Sequence, residues 1–419
     1  MKGLSSLALA LAGGAAAVAQ AVELPLSTSS RWILDATGAR VKLRCVNWAG
    51  HMEANIPEGL HKQSVEAIAD TIAAQGFNCV RLTYSIDHAL APDVRVGDSF
   101  AAVAASTGIS QEDADGLYAR VAEKNPFVGE GEGGATTRDV YGAVIKALWD
   151  RDVMTILDNH VSKASWCCNI DDGNGWWDTG FGYNDMNSRY FHTQDWLDGL
   201  SAMASWATTQ PGVIGFGLRN EVREWLLQGT NGRADWYDYM AQGARAVHSA
   251  HPDALILMGG TYSSTDLIHV KVKNIDWADW AGKHVWEWHA YSFTVTFPNS
   301  GADCGFTQNQ YGFNNGFVLE QDQAYTAPLI LSEFGFGMAG GPNDGLGDGD
   351  KQYFDCIKDY VLQNDSEWAI WGIMGSYYVR DGTVDFDEGY GVLDKDWAAL
   401  RNSKLPEMLA PMFEQTQGP

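Results

Sequence analysis

The chain has 419 residues, with 45% hydrophobic and 12% aromatic residues and a formal net charge of -25 at pH 7. This composition is ample for a large hydrophobic core, in either one big barrel or two medium domains. Because 53 acidic residues outnumber 28 basic ones, nucleic acids and acidic polysaccharides are poor candidate partners.

Residues 1–21 have the pattern of a secretory signal peptide. A lysine at position 2 precedes small and apolar residues through Val18, and cleavage sites of the Ala-x-Ala type end at Ala19 and Ala21. The apolar stretch is too short and too rich in Ala and Gly for a membrane span, and no later segment reaches the required length. We therefore predict a secreted, extracellular protein without membrane association, whose mature part spans residues 22–419.

Short apolar segments alternate with amphipathic helix patterns along the whole mature chain. The helix patterns include Val65 to Ala73, which Gly76 closes, Trp236 to Val247, and Tyr353 to Val361. Eight β-then-α units predict a single (β/α)8 TIM barrel of the α/β class. The predicted strands are Leu43–Trp48, Asn78–Thr83, Val153–Asp158, Val213–Arg219, Leu255–Gly260, Lys283–His289, Pro328–Ser332 and Trp368–Met374.

Two further segments complete the predicted barrel. Residues 31–35 and 41–43, joined by a turn at Thr37-Gly38, are predicted as a β-hairpin that plugs the barrel floor. The segment from His88 to Arg138 is rich in Gly, Ala and acids and weakly periodic. We interpret it as an insertion after the second strand, one of several long loops at the C-terminal face, rather than as a separate domain.

Two glutamates stand at the C-terminal ends of buried strands. Glu221 follows the fourth predicted strand, and Glu333 follows the seventh. An ionisable side chain in this position is costly near a core unless it is solvated or hydrogen-bonded. Barrel active sites are built from the C-terminal strand ends. We therefore expect both glutamates to face one mouth from roughly opposite sides.

Such a pair of carboxyl groups is what a retaining glycoside hydrolase needs. One carboxylic acid protonates the leaving oxygen, while a carboxylate about 5–5.5 Å away attacks the anomeric carbon. The protein must then keep one glutamate protonated and the other charged. Arg81, at the end of the second predicted strand, is a suitable cation to keep the attacking group ionised.

From Arg31 to about Trp397 the chain resembles glycoside hydrolase family 5, the cellulase-like branch of retaining barrel hydrolases. The resemblance rests on Asn220-Glu221 after the fourth strand and on Ser332-Glu333-Phe334-Gly335 after the seventh. It implies Glu221 as the acid/base and Glu333 as the nucleophile. The implied substrate-binding residues are Arg81, His160, Asn220, His289, Tyr291 and Trp371.

The sequence departs from the family pattern after the acid/base position. The family usually has proline there, whereas Val222 follows Glu221 in this chain, so we expect a differently set loop. The segments 47–51 and 368–372, together with the long insertion, are similar to a fungal- and plant-type branch. This branch does not by itself define the substrate.

Six cysteines in a predicted secreted protein indicate disulfides. Cys45 and Cys79 lie in predicted strands, where buried free thiols are equally compatible with the sequence. Cys167 and Cys168 follow the third strand and Cys304 follows the sixth, so all three should lie on the catalytic face. Because a bridge between adjacent residues should be strained, we predict that one of the pair bonds Cys304.

Many of the 17 tryptophans fall in predicted loops, where flat apolar rings suit the C–H faces of sugars. A loop cluster that includes Trp166 and Tyr183 is difficult to explain as core. Stacked aromatics can hold the neighbouring units of a neutral polymer without charge. The predicted stacking residues are Trp176, Trp177, Trp225 and Trp288.

We predict neither a metal nor another cofactor. The segment 343–350 resembles a calcium loop in composition but lacks the spacing and terminal Glu of an EF-hand. No Cys or His set has zinc spacing.

The sequence predicts a monomeric retaining hydrolase of a neutral β-linked polysaccharide or oligosaccharide, and it favours an endo-β-1,4-glucanase. A β-mannanase and an exo-acting β-glucosidase-type enzyme are alternatives. A non-catalytic carbohydrate-binding pseudoenzyme is the alternative outside enzymes. Intact Glu221, Glu333 and Arg81 count against that last alternative, because a protein that only binds sugar does not need a matched acid and nucleophile.

Overall fold

The computed structural model describes residues 22–131, 133–292, 303–338 and 340–419. The predicted signal peptide lies outside these residues. The described chain begins with an antiparallel hairpin of β1 (Ser27–Ser29) and β2 (Trp32–Leu34). The predicted N-terminal hairpin is therefore present, but its strands lie earlier than expected. The turn predicted at Thr37-Gly38 follows β2, where the Asp35 carboxylate accepts from the amides of Thr37 and Ala39.

Within the described residues, eight parallel strands close into a barrel in chain order, with the first strand paired to the last. Each predicted strand overlaps one observed strand, so the (β/α)8 barrel is confirmed. The barrel strands are β3 (Arg44–Trp48), β4 (Cys79–Ser85), β5 (Met154–Val161), β6 (Val213–Gly217), β7 (Leu255–Gly259), β8 (His284–Tyr291), β9 (Leu329–Gly335) and β10 (Glu367–Ile370).

Helices surround this barrel, and local capping defines several of their starts. The Ser64 side chain accepts from the amide of Ala67 at the start of the first helix, and Thr136 and Asp139 form a capping box at the start of another. The helices are α1 (Val65–Ala74), α2 (Ile86–Leu90), α3 (Val96–Thr107), α4 (Gln111–Lys124), α5 (Thr137–Trp149), α6 (Asp185–Ser188), α7 (Thr193–Ala207), α8 (Ala234–Ala250), α9 (Thr261–Ser264), α10 (Ile268–Val272), α11 (Cys304–Asn314), α12 (Asp348–Asn364) and α13 (Leu405–Leu409).

The insertion after β4 is more ordered than its sequence indicates, because it contains helices α3 and α4. Each helix buries only a narrow stripe, such as Phe100 and Val103 on α3 and Leu117 and Val121 on α4. Alanines and acids occupy much of the remaining surface, so the apolar period is weak. Among the described residues, no helix is long and apolar enough to cross a membrane.

Every second side chain of a barrel strand points into the barrel, and these inward side chains form two kinds of layer. The floor layer is apolar and packs against Ile33 and Val41 of the N-terminal segment, in one buried cluster. This packing agrees with the predicted plug. Two residues further along the strands lies a fully buried polar layer. The floor residues include Cys45, Cys79, Ile156 and Val285, and the polar layer includes Asn47, Arg81, Asp158 and Glu287.

The described residues contain three disulfides, and the predicted bond from Cys304 to the adjacent pair is wrong. Cys304 begins α11 and bonds Cys356 on the neighbouring helix α12. Cys167 and Cys168 bond each other on the loop after β5. The remaining bridge joins Cys45 of β3 to Cys79 of β4 inside the barrel floor. Packing of the surrounding helices thus places Cys304 beside α12, away from the loop after β5.

Candidate active site

The predicted site residues meet at the C-terminal mouth of the barrel. A pocket of about 490 Å³ opens there. Arg81 and His289 lie beneath it and are almost completely buried. The other predicted residues line the pocket, namely His160, Asn220, Glu221, Tyr291, Glu333 and Trp371.

Both carboxylate oxygens of Glu333 accept hydrogen bonds from buried donors. Arg81 donates from Nη1 to Oε1 over 2.7 Å, and the Tyr291 hydroxyl donates to Oε2 over 2.9 Å. Burial raises the pKa of Glu333, whereas His289 and Arg81 lower it. Hydrogen-bond donors at both oxygens stabilise the ionised form of the Glu333 carboxyl group at neutral pH.

Glu221 has a different environment. It follows β6 with its backbone in the left-handed region, at φ 46°, which is uncommon for a residue other than glycine. His289 Nδ1 lies 3.0 Å from Glu221 Oε1. Burial raises the pKa of Glu221 to about 7, although the charge of Arg223 opposes the shift. Glu221 is therefore partly protonated at neutral pH.

The two carboxyl groups are close enough to act on one bond. One oxygen of Glu221, one oxygen of Glu333 and one nitrogen of His289 all lie within 4.8 Å of one another. Retaining glycosidases hold their carboxyl groups about 5–5.5 Å apart, whereas inverting enzymes need about 6.5–9.5 Å to admit a water. This spacing suits direct attack by one carboxylate while the other transfers a proton.

A chain of hydrogen bonds orients the polar groups under the pocket. Arg81 Nη2 donates to Asn220 Oδ1 over 2.9 Å, so the Asn220 amide nitrogen faces His160 Nε2 at 3.3 Å. His160 Nε2 then accepts, and its Nδ1 donates to Asp158 Oδ2 over 2.8 Å. Burial holds the pKa of His160 well below its ordinary value. His160 is therefore neutral, with one tautomer selected by its partners.

Trp371 lies immediately after β10 and presents its ring beside this chain. Its ring centroid is 5.5 Å from that of His160, with the planes 20° apart. An indole face at the pocket provides an apolar surface for a sugar ring. Trp371, which the family resemblance implies as a substrate-binding residue, thus lines the pocket with an aromatic side chain.

Sequence reasoning missed the polar layer and one wall of the pocket. Asn47, Asp158 and Glu287 are each buried inside the barrel. The period of two along a strand is a signal for them, because Asp158 precedes His160 by two residues and Glu287 precedes His289 by two. The missed wall residues are Cys167, Cys168, Asn169, Arg380, Glu388 and Tyr390.

Three of the four predicted stacking tryptophans are buried, so their assignment as exposed sugar platforms is wrong. Trp176 and Trp177 are 0% exposed, and Trp177 packs against Phe191 and Trp196 beneath the loop after β5. Trp288 is 1% exposed and points outward from β8, where it contacts Tyr311 and Tyr360. Trp225 remains partly exposed, and Trp166 of the loop cluster lines the pocket.

Comparison with known proteins gives consistent matches over most of the chain. The family model described as cellulase (glycosyl hydrolase family 5) matches residues 34–376. A glycosyl hydrolase 5 family protein of Chamaecyparis obtusa is 38% identical over 408 residues, covering 94% of this chain and 68% of that protein. An endoglucanase of Paenibacillus polymyxa is 22% identical over 412 residues, covering 93% of this chain and 88% of that protein.

Solved structures with low sequence identity share the fold. An endocellulase from Pyrococcus horikoshii, in complex with cellotetraose, superposes with a TM-score of 0.69 at 18% identity, covering 93% of this chain and 100% of that chain. The catalytic domain of the major endoglucanase from Xanthomonas campestris superposes with a TM-score of 0.68 at 20% identity, covering 93% and 99%.

Proposed function

This chain belongs to glycosyl hydrolase family 5, and from that premise we propose that it is a retaining endo-β-1,4-glucanase. The observation that carries the proposal is the approach of Glu221 and Glu333 to within 4.8 Å, which favours double displacement over inversion. The endoglucanase relative and the cellotetraose bound to a protein of similar fold favour a β-1,4-glucan. A neutral substrate also suits the net charge of -25.

In the first step, a Glu333 oxygen attacks the anomeric carbon of the reacting sugar. Glu221 gives its proton to the glycosidic oxygen, so that the leaving chain departs as an alcohol. Arg81 and Tyr291 hold the attacking carboxylate in place by their hydrogen bonds. The product of this step is a glycosyl ester of Glu333, and Glu221 is left as a carboxylate.

In the second step, Glu221 takes a proton from water as the water attacks the same carbon. The ester bond to Glu333 breaks, both glutamates return to their starting states, and the product keeps the original anomeric configuration. The exchange of roles has an electrostatic basis. Once Glu333 is esterified its negative charge is gone, so the pKa of Glu221 falls and the group becomes a competent base.

The proposal places this reaction outside the cell. Residues 1–21 have the composition of a signal peptide. The three disulfides among the described residues fit an oxidising compartment. We propose a secreted monomer.

The glucanase proposal predicts a particular substrate profile. We expect hydroxyethylcellulose and mixed-linkage β-glucan to lose viscosity early, before many reducing ends appear, because cuts fall inside the chain. Mannan and xyloglucan should be hydrolysed more slowly than these two glucans. Proton NMR of the first products should show the β-anomer. A preference for mannan would contradict the glucanase proposal and favour the β-mannanase. Release of small sugars without loss of viscosity would favour the exo-acting β-glucosidase-type enzyme.

A second prediction concerns the pH dependence that Ser263 imposes on Glu221. Tyr262, Ser263 and Ser264 form a left-handed turn with φ between 52° and 60°, and the Ser263 amide donates to the Val222 carbonyl over 3.0 Å. Burial raises the pKa of Glu221, and the nearby Ser263 side chain lowers it to a smaller extent. The turn therefore holds the hydroxyl where it stabilises the ionised acid/base.

We expect Ser263→Ala to raise the pKa of Glu221. The basic limb of the kcat/KM profile, which in the wild type should lie near pH 7, then moves to higher pH, since catalysis needs the protonated acid. Profiles over about pH 5 to pH 9 measure this shift. Ser264→Ala is the matched control, because the Ser264 hydroxyl oxygen has no hydrogen-bond partner among the described residues. A basic limb that stays in place, or moves down, contradicts the assignment.

A further inference from the structure

The acid/base glutamate has an unfavourable backbone conformation at the start of the loop after β6. Glu221 has a φ of 46°, and a residue other than glycine keeps such a conformation only where its surroundings enforce it. Val222 stands where the family usually has proline, so no ring fixes the backbone at the next position. Other contacts must therefore hold Glu221 in place.

Arg223 makes such contacts with a single guanidinium. Its Nη1 donates to the Glu221 carbonyl over 3.0 Å, and its Nη2 donates to the Asn169 carbonyl over 3.0 Å. Nη2 also donates to both carboxylate oxygens of Asp172, over 2.5 Å and 2.6 Å. Because Asn169 and Asp172 belong to the loop after β5, Arg223 joins the backbone of the acid/base residue to that loop.

The loop after β5 holds its side of this ion pair firmly. Asp172 accepts from the amide of Asn174 over 2.8 Å and from the amide of Asn169 over 3.1 Å. The Arg223 amide donates to the Gly175 carbonyl over 3.0 Å, and a Cβ at Gly175 would lie 2.7 Å from Arg223 Cγ. The two charged side chains are each 9% exposed, so water competes little for their charge-assisted hydrogen bonds.

The ion pair lies behind the catalytic pocket rather than in it. Within the described part of the chain, neither Arg223 nor Asp172 lines the pocket, whereas Asn169 and Glu221, which Arg223 holds, both do. Burial is the largest effect on the pKa of Glu221 and raises it, while Arg223 lowers that pKa and Asp172 raises it. The Asp172 charge thus allows a cation to hold the Glu221 backbone with less loss of the protonated form that catalysis needs.

We propose that Arg223 and Asp172 are positioning residues that hold Glu221 where it can transfer its proton to the glycosidic oxygen. They act through the Glu221 backbone and touch neither the substrate nor the reacting atoms. Precise placement matters, because a displacement of about 1 Å in a catalytic group can lower the rate about 10²-fold. This inference rests on the proposed glycosidase activity and adds to it the contacts that orient its acid/base.

Two aryl β-cellobiosides with different leaving groups test the proposal. Dinitrophenol departs without a proton, whereas phenol is a poor leaving group and needs the acid. In Arg223→Met and Asp172→Asn, kcat/KM should fall about tenfold further on the phenyl glycoside than on the dinitrophenyl glycoside, since general acid catalysis is worth about 10²–10⁴ in rate. The ratio of the two values does not depend on how much of the variant is folded, because both substrates report on the same active molecules.

Arg233→Met is the matched control. Arg233 pairs with Glu224 over 3.3 Å on the same loop after β6 and does not line the pocket, so the wild-type ratio should persist. Arg223→Lys should give an intermediate ratio, since an ammonium keeps the charge but cannot reach all three acceptors.

Two results bear on different parts of the proposal. Equal losses on both glycosides in Arg223→Met and Asp172→Asn, or an unchanged ratio, overturn the positioning role and leave the ion pair as a contribution to stability alone. If Arg223→Met does not fold, Asp172→Asn, which keeps the size of the side chain, decides the question. A wild type that cleaves the matching mannobiosides instead of the cellobiosides overturns the glucan proposal, while the same ratio measured on mannobiosides still tests the ion pair.

Discussion

Glu221→Ala and Glu333→Ala are both expected to lose β-glucan hydrolysis, but at different steps. Without Glu221, an unactivated glucan loses general acid catalysis, worth on the order of 10²–10⁴ in rate. An aryl glycoside with a good leaving group should still react with Glu333 in this variant, and the covalent ester should accumulate. Added azide should speed its turnover and give a β-glycosyl azide. Stopped-flow bursts and intact mass spectrometry detect the ester.

Glu333→Ala should show no burst and no ester with any substrate, because the attacking atom is gone. Glu224→Gln is the matched control for both variants. Glu224 is a partly buried glutamate three residues after Glu221, with a side chain that is 6% exposed and an Oε2 that accepts from the Tyr262 amide, and it does not line the pocket. If instead Glu333→Ala accumulates the ester and gives a β-glycosyl azide, while Glu221→Ala forms no ester and gives the inverted α-glycosyl azide, the two roles are reversed.

Strand ends made much of the site predictable. Once eight strands are placed, His160, Glu221 and Glu333 fall at or near the C-terminal ends by counting, and the barrel brings those ends together above Arg81. The same alternation that points His289 into the barrel points Trp288 out toward the helices. The alternation along β8 therefore places Trp288 on the outer face of the barrel from the sequence alone.

Other features depend on packing that no local pattern encodes. Trp176 and Trp177 lie in a loop, yet that loop packs against helix α7 and buries both rings in the main hydrophobic core. The partner of Cys304 depends on which helix packs beside α11. The different environments of Glu221 and Glu333 arise from burial and from donors on distant strands, so the sequence assigns their roles only through chemistry and resemblance.

Arg81→Met is expected to have the largest effect on stability, because this side chain holds the polar layer together. Its guanidinium is fully buried and lies 2.7 Å from Glu333 and 2.8 Å from Asp158. It also donates to the side chains of Asn47 and Asn220. Removing one partner of a buried ion pair leaves uncompensated charge and costs about 3–5 kcal/mol of unfolding free energy. Urea unfolding measures this loss. Activity should fall as well, since Glu333 and Asn220 lose their common donor.

The loss should depend on pH in a specific direction. Burial already raises the pKa of Glu333 and of Asp158 in the folded state, and the Arg81 charge opposes both shifts. Without Arg81 the folded-state pKa values rise further above the unfolded ones. The destabilisation is then small below about pH 3, where both carboxyls are mostly protonated in both states, and it grows as pH rises through the folded pKa values.

Arg219→Met separates this electrostatic effect from simple loss of a buried side chain. Arg219 is also fully buried, but it donates to Asn159 and to the Asn174 carbonyl. Its removal should destabilise the fold with a weaker dependence on pH, because Arg219 forms no ion pair within the described residues and lowers the pKa of Asp158 less than Arg81 does. Arg81→Lys should fall between wild type and Arg81→Met, since an ammonium keeps the charge but cannot reach several acceptors at once. If Arg81→Met and Arg219→Met lose stability in parallel across the pH range, Arg81 acts through packing rather than through the ionisation of Glu333.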